Sequence, residues 1–423
     1  MTAPPAAELR RRGRLPATVD PVDGAWPRHS AVLSFFMVVA YAGIVFLRPA
    51  LPQNLAFVDP VLLLLSLVGL VSMTRLGSRA TLAAGRTLPW VWLILLGSIM
   101  GLFSVGITEW AVSNMLRTAL ALLTFFCIWH LVDVTRSERA ALVGTCIGLV
   151  VTSLALATQA SSLRGFAFFD HPNYAGHFTT MASMLLFVQA RTWRVKVLAL
   201  LALMIGLLET ASFGAIAMAL SMFGVLVIRS LKRSTALLAV ALIFVAIFGL
   251  FVSAPGVDGL PSIKDWNVSE VISEERFERS QGSRAEIWGK AIAAYAETPW
   301  GVGPDGVAKR ELAEYRGIAL EIHADALGYL VERGILGVIG YIGLWVTIWR
   351  STRPGGIAHV LIVGVLVQGL FRETMHYRHL WLLVGLAAVF DQRSAERDAV
   401  HEADAPDPTG DAVGSGRSAP TES

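Results

Sequence analysis

The chain has 423 residues, of which 54% are hydrophobic and only 16% are charged, and its net charge is +3. So small a net charge gives no indication of nucleic-acid binding, and the apolar residues fall in long uninterrupted blocks. A hydrocarbon core ~30 Å thick is crossed by ~20 apolar helical residues, and continuous runs without strand-like alternation exclude a transmembrane β-barrel. The sequence therefore predicts an all-α, polytopic helical membrane protein that contacts the lipid bilayer.

Twelve apolar blocks are candidates for transmembrane helices. Nine lie within residues 31–253 and three within 324–390, with one long loop, 254–323, between the two groups. The last block is short, and the 195–228 pair is tightly joined. In chain order the blocks are residues 31–47, 56–73, 88–105, 112–132, 140–158, 174–190, 195–210, 213–228, 236–253, 325–349, 356–371 and 379–390.

The two tails differ from the apolar blocks in composition. Residues 1–30 are polar, Pro-rich and basic, and the first block ends without a small-residue cleavage site, which indicates a retained signal anchor. Residues 391–423 are acidic and rich in Pro, Gly, Ser and Asp. Such a composition cannot bury a core, so the sequence predicts a disordered acidic tail.

Basic residues alternate from loop to loop, which predicts the orientation, because cytoplasmic loops are enriched in Lys and Arg. With the N-terminus inside, the loops around residues 75–86, 136–139, 191–196, 229–233 and 350–353 are cytoplasmic. Both termini then lie in the cytoplasm, and the protein spans the cytoplasmic (inner) membrane. The long loop, the segment 168–177 and the turn 209–213 lie on the external, periplasmic face, which is where the polar residues collect.

The long external loop contains a predicted helix with start and stop signals. Ser283 followed by Glu286 forms a capping box, which predicts the start of the helix. Pro299, Gly301 and Gly303 predict its end in a turn.

The same helix is predicted to be amphipathic. Arg284, Trp288, Ala291 and Tyr295 fall at helical spacing on one stripe, as expected of a helix that lies on the membrane surface. Arg284 is then either a functional cation or a first-turn residue that reaches lipid phosphate. A second polar helix is predicted over residues 305–320.

His323 stands at the mouth of the tenth block, among carboxylates. With an ordinary pKa of ~6.5 it can act as a general base, with Glu321 or Asp325 orienting the ring. The alternative is an interfacial histidine satisfied by its neighbours. A metal site formed by His323 and Asp325 is weaker, because nothing near them supplies further ligands at a recognised spacing.

Arg117 lies within the fourth block, about two turns from its predicted outer end. Ionised residues within spans usually face a bundle interior or a wet cavity, so Arg117 is a candidate functional residue. The alternative is that its side chain reaches the outer headgroups.

The segment before the sixth block contains a second polar group. His171 and Asn173 form an HPN element, which is either part of a site or a turn that starts a helix. A metal site made of His171 and His177 is the weaker possibility, because the two residues do not share a helical face.

These residues together resemble the O-antigen ligase and polymerase superfamily, membrane glycosyltransferases that use polyprenyl-diphosphate-linked glycans. The similarity concentrates between residues 165 and 340, where three elements of the family occur in order, and the position of the long external loop also agrees. The elements are HPN at 171–173; Arg284-x-x-x-Trp288 followed by Pro299, Gly301 and Gly303; and His323 followed by ERGILG at 332–337.

Two positions depart from the family pattern. Phe213, in the TASFGA segment, stands where the family usually has an arginine, and Ala324 follows His323 where the family commonly has Asn. Loss of the cation at position 213 either weakens diphosphate recognition or implies a substitute. Arg117 and Arg164 lie on the predicted external side and are candidates for that role.

The resemblance implies transfer of a glycan from a polyprenyl diphosphate to a glycan or another surface molecule. His323 would be the base and Arg284 the catalytic cation. The substrate-binding candidates are Arg117, Arg164, His171 and Asn173. We expect no metal and no cofactor, because the external segments contain no Asp-x-Asp element. Ligase and polymerase activities are both consistent with this pattern.

Two alternatives to a glycosyltransferase remain. A transporter or flippase would also have many spans with charges inside them. Against it, the polar residues collect at one face, and we expect no span to be broken at its centre. A non-catalytic relative of the family would account for Phe213, whereas the presence of His323 and Arg284 favours an enzyme.

Overall fold

The computed structural model describes residues 30–46, 56, 58–105, 109–159, 167–169, 171–210, 212–230, 274–303, 314–315, 318–319, 322 and 324–403. The N-terminal helices are α1 (Ala31–Gly43), α2 (Asp59–Arg75), α3 (Arg79–Val105), α4 (Glu109–Thr135), α5 (Glu138–Thr158), α6 (Pro172–Gln189), α7 (Trp193–Thr210) and α8 (Phe213–Ser230). They are followed by α9 (Glu274–Glu297), β1 (Glu314–Tyr315), β2 (Ile318–Ala319), α10 (Asp325–Ser351), α11 (Ile357–Gln368) and α12 (Arg378–Ala403).

The helices follow the predicted apolar blocks. Every block except 236–253, which lies outside the described residues, coincides with a helix. By length and composition, four described helices can cross a membrane: Arg79–Phe103, Thr118–Thr135, Glu138–Thr158 and Asp325–Ser351. Ala31–Gly43, Phe213–Arg229 and Ile357–Gln368 are shorter apolar helices. The all-α prediction is confirmed apart from the two-residue strands, and the number of spans stays a prediction.

Helices α3 and α10 pack closely against each other along small residues. A Cβ at Gly340 would lie 2.7 Å from the backbone carbonyl oxygen of Trp90, and a Cβ at Gly343 would overlap the ring of Trp90. Small residues let helix backbones approach closely, which is a main source of helix association in membranes. These contacts join the two halves of the chain.

Contacts at the helix ends show that α11 and α12 run in opposite directions. The Arg378 guanidinium pairs with Asp59 at 2.7 Å at one end of the bundle. At the other end the carboxylate of Asp391 accepts from the backbone N–H of Ile357 at 2.7 Å. We call the first end the polar end, defined by the N-termini of α6, α8 and α10 and by the α11–α12 connection.

The start of α9 differs from the prediction. The helix begins at Glu274, so Ser283 and Glu286 lie inside it and the predicted capping box is wrong. The preceding EERFERSQ sequence explains the difference, because Glu, Arg and Gln are good helix formers. The predicted end is confirmed, since the helix stops at Glu297 and Gly301 has a φ of 90°.

The predicted stripe of α9 is divided between two environments. Ala291 is buried together with Ile287 against Val331 of α10, whereas Trp288 is 37% exposed. The helix therefore packs one face on the bundle and leaves Trp288 and other apolar side chains on a second face.

Two further segments differ from their predictions. Residues 314–319 contain an antiparallel strand pair in place of a helix, with Glu314 opposite Ala319. Arg316-Gly317 separates the strands, and glycine is favoured in such two-residue connections. Helix α12 continues to Ala403, so residues 391–403 are helical where a disordered tail was predicted. An ion pair between Arg393 and Asp133, at 3.2 Å, attaches this extension to α4.

Candidate active site

Asp325, the first residue of α10, attaches this helix to the α11–α12 connection. The carboxylate is 1% exposed and accepts hydrogen bonds from the hydroxyl and the backbone N–H of Thr374, the latter at 2.7 Å. The backbone N–H of Asp325 donates to the carbonyl of Gly369 at 2.7 Å. The carboxylate therefore serves as an anchor, and it fixes the chain two residues after His323 at the polar end.

His171 caps the N-terminus of α6 at the same end of the bundle. Its Nδ1 accepts from the backbone N–H of Asn173 at 3.1 Å. A ring nitrogen that accepts carries no proton, so the neutral ring of His171 is protonated at Nε2. The HPN element thus starts a helix, which was one of the two alternatives predicted for it.

Arg372 lies beside this cap. It is 5% exposed, and its Nη1 lies 3.4 Å from Nδ1 of His171. Its guanidinium carbon lies 5.0 Å from the centre of the Tyr174 ring, within cation–π range. No local sequence pattern indicates this contact of Arg372 with His171.

Further histidine and tyrosine side chains extend from the surface into the bundle. The Tyr174 hydroxyl lies 3.0 Å from Nε2 of His376. Deeper, Nδ1 of His177 lies 2.8 Å from Nε2 of His379, and both rings are buried. His177 therefore pairs with α12 and not with His171. Within the described ranges, no group of three or more His, Cys, Asp or Glu side chains is arranged to hold a metal.

The α7–α8 turn completes the polar end. A Cβ at Gly176 of α6 would lie 2.8 Å from the hydroxyl oxygen of Thr210, and one at Gly214 would lie 2.7 Å from Oε1 of Gln368. The first turns of α6 thus meet the end of α7, and the start of α8 meets the C-terminus of α11. Phe213 is the first residue of α8 at this point.

The turn after α9 inserts into a break in α10. Gly334 has φ 62° and ψ −164°, which interrupts the helix. The backbone N–H of Val302 donates to the carbonyl of Val331 at 2.8 Å, and a Cβ at Gly301 would lie 2.6 Å from the backbone nitrogen of Gly334. Residues 299–303 and the broken helix therefore form one interlocked unit, which we call the α9–α10 lock. The expectation that no span is broken at its centre is wrong for α10, because ERGILG reads as part of a continuous apolar block and does not reveal the break at Gly334.

A buried ion pair lies directly before the break. Arg333 is 5% exposed, and its Nη1 lies 2.8 Å from Oε2 of Glu332. Its Nε donates to the hydroxyl of Ser98 at 3.0 Å, and its guanidinium lies 4.3 Å from the centre of the Tyr329 ring. Sequence reasoning used ERGILG only as a family element and missed this pair. Two charges inside an apolar block were the available signal.

A family model described as O-antigen ligase matches residues 195–342. This part of the chain is similar to the O-antigen ligase family. The matched O-antigen ligase region runs from α7 through the break in α10, and the resemblance inferred from the motifs is confirmed. No curated protein matches the chain closely enough to be reported as a relative.

The O-antigen ligase region includes some of the candidate residues and not others. Phe213, Arg284 and His323 lie inside it, whereas His171 and Arg372 lie outside the matched residues. The anchor of Asp325 and the cap of α6 nevertheless hold the start of α10, inside the matched region, and His171, outside it, at the same end of the bundle.

The predicted site residues are described to different extents. His171 and Asn173 are described and lie together in the α6 cap. Arg117 and Arg284 occupy positions on α4 and α9, but their side chains lie outside the described part. His323 and Arg164 also lie outside the described residues. Thr118, the residue after Arg117 on α4, has its hydroxyl 3.5 Å from Nη2 of Arg333.

Proposed function

We propose that the protein is a membrane glycosyltransferase that moves a glycan from a polyprenyl diphosphate to an acceptor hydroxyl at the external face of the cytoplasmic membrane. The observation that carries the proposal is the O-antigen ligase match over residues 195–342, which includes both Arg284 and His323. The α9–α10 lock supports it, because it joins the helix that carries Arg284 to the helix that follows His323. If the protein is a polymerase, the acceptor is another lipid-linked glycan. If it is a ligase, the acceptor is a different surface molecule.

In the proposed reaction, the acceptor oxygen attacks the anomeric carbon as the bond from that carbon to the diphosphate oxygen breaks. His323 takes the proton of the acceptor hydroxyl, because an imidazole with an ordinary pKa accepts a proton near neutral pH. The polyprenyl diphosphate leaves with an additional negative charge. Arg284, with Arg117, stabilises that charge through charge-assisted N–H donors in a partly desolvated site.

The mechanism makes the stereochemistry of the product a test. A single displacement inverts the configuration at the anomeric carbon. Purified protein in detergent, supplied with a polyprenyl-diphosphate glycan and an acceptor glycan, should release polyprenyl diphosphate and form the inverted linkage. The variant His323→Ala should stay folded and lose transfer. A product with retained configuration contradicts the mechanism, and no transfer by any preparation contradicts the function.

A transporter is the second candidate, and one observation favours it. Transport proteins place binding sites at breaks in their helices, and α10 is broken at Gly334 beside the buried Arg333. The break at Gly334 lies nine residues after Asp325 and about four before the middle of α10, and residues 299–303 pack against it. Vesicles that contain the protein and a fluorescent lipid-linked glycan separate the two functions. Movement of the intact lipid without glycan transfer supports the transporter.

A further inference from the structure

The guanidinium of Arg372 and the N-terminus of α6 meet at one imidazole. Nη1 of Arg372 lies 3.4 Å from Nδ1 of His171, the residue that caps α6. A helix N-terminus carries a partial positive charge of ~0.5, which favours a neighbouring anion. A permanent cation and a helix N-terminus therefore concentrate positive potential at the same point of the polar end.

The charged side chains of the α11–α12 connection point towards two different helices. Arg372 is directed at α6, whereas its neighbour Glu373 is directed at α10, where a Cβ at Gly328 would lie 2.7 Å from its Oε1. The carboxylate of Asp325 is bound by Thr374, also on the α10 side. Among the described side chains, the cation thus faces α6 and these two carboxylates face α10.

Arg372 also lies close to the position at which the chain departs from the family pattern. Its backbone N–H donates to the carbonyl of Gln368 at 3.0 Å, and the side chain of Gln368 packs on Gly214. Gly214 directly follows Phe213 at the start of α8. The guanidinium of Arg372 therefore lies at the same end of the bundle as position 213. It belongs to the α11–α12 connection, whereas position 213 belongs to the start of α8.

We propose that Arg372, at the N-terminus of α6, binds the diphosphate of the donor. This inference rests on the proposed function only for the nature of the donor. A guanidinium offers paired N–H donors that fit phosphate oxygens, and the ring of Tyr174 holds its plane in place at 5.0 Å. Arg372 then supplies a cation at the polar end that the chain lacks at Phe213.

Binding of farnesyl diphosphate to the purified full-length protein in detergent tests the inference. Arg372→Gln should weaken binding by about 10- to 100-fold, since a hydrogen bond to a charged group is lost. Arg372→Lys should retain an intermediate affinity, because a point charge remains without the paired donors. Farnesol should bind equally to all variants, and inorganic pyrophosphate should compete with the diphosphate more weakly in Arg372→Gln than in the wild type.

Arg378→Gln is the matched control. Arg378 stands at the same end of the bundle, but it is ion-paired with Asp59 at 2.7 Å. Its replacement should leave the affinity for farnesyl diphosphate unchanged. Equal affinity of the wild-type protein and a folded Arg372→Gln variant overturns the inference.

A measurement on the wild-type protein covers the case in which Arg372→Gln does not fold. Farnesyl diphosphate should slow hydrogen–deuterium exchange of the backbone amides at the start of α6 and in the α11–α12 connection of the wild-type protein, whereas farnesol should not. Unchanged exchange in both segments overturns the inference. The proposed function fails separately: an Arg372-dependent diphosphate site without glycan transfer contradicts the function, and a working transferase with unchanged binding contradicts only the inference.

Discussion

The α9–α10 lock predicts a large effect from a single methyl group at Gly334. The backbone there has φ 62° and ψ −164°, a conformation essentially restricted to glycine, and a non-glycine residue held in it costs ~1–3 kcal/mol. The added Cβ of Gly334→Ala would also lie 2.6 Å from the carbonyl oxygen of Pro299 and from the carbonyl carbon of Trp300. Both are backbone atoms, so relief requires movement of the turn, and overpacking of this kind costs a further ~1–3 kcal/mol.

The expected loss for Gly334→Ala is therefore about 2–6 kcal/mol, a large part of the ~5–15 kcal/mol that stabilises a typical domain. Thermal unfolding of the purified protein in detergent measures it, as a lower midpoint than the wild type. Gly289→Ala on α9 is the matched control, since a Cβ there meets no atom within 4 Å and alanine favours a helix by up to ~1 kcal/mol. An unchanged midpoint for Gly334→Ala would show that the turn and the helix break do not depend on each other.

Two further predictions concern buried charges. Arg333→Met removes the guanidinium that pairs with Glu332 and should lower stability by ~3–5 kcal/mol, while Glu332→Gln in the same chain should recover part of the loss; equal unfolding midpoints for the single and double variants would contradict this. Burial raises the pKa of Asp391 to about 6, although its carboxylate accepts from the N–H groups of Ile357 and Ala358. The raised pKa means that the stabilising contribution of the protonated form is present below pH ~4 and is lost as the pH rises through about 6. Asp391→Asn should therefore flatten the fall in unfolding midpoint between pH ~4 and ~7, and a slope equal to that of the wild type would refute the assignment.

Features that depend on local sequence were predicted well. The apolar blocks identified the described helices because a span must be continuously apolar over its length. Pro299 and Gly301 identified the end of α9, since a helix rarely continues through this pair. The start of α9 was misjudged because a capping pattern at Ser283 also occurs inside a helix of good helix formers.

Features that depend on contacts between distant residues could not be read from the sequence. The break at Gly334 is stabilised by residues 299–303, and an isolated glycine in an apolar block does not indicate it. Arg372 and His171 are separated by 201 positions in the chain and meet only because α6 and the α11–α12 connection share one end of the bundle. The charge of Arg333 was visible, but its pairing with Glu332 and Ser98 required the fold.

The most direct test of the proposed transferase compares surface glycans and lipid-linked intermediates in cells that contain the wild-type protein, no protein, or His323→Ala at an equal membrane level. His401→Ala, near the C-terminal end of α12, serves as the control and should behave as the wild type. Single repeat units in both the deletion and His323→Ala cells indicate a polymerase, and long chains that remain on the lipid indicate a ligase. Unchanged glycans in the deletion and His323→Ala cells would contradict the proposed function.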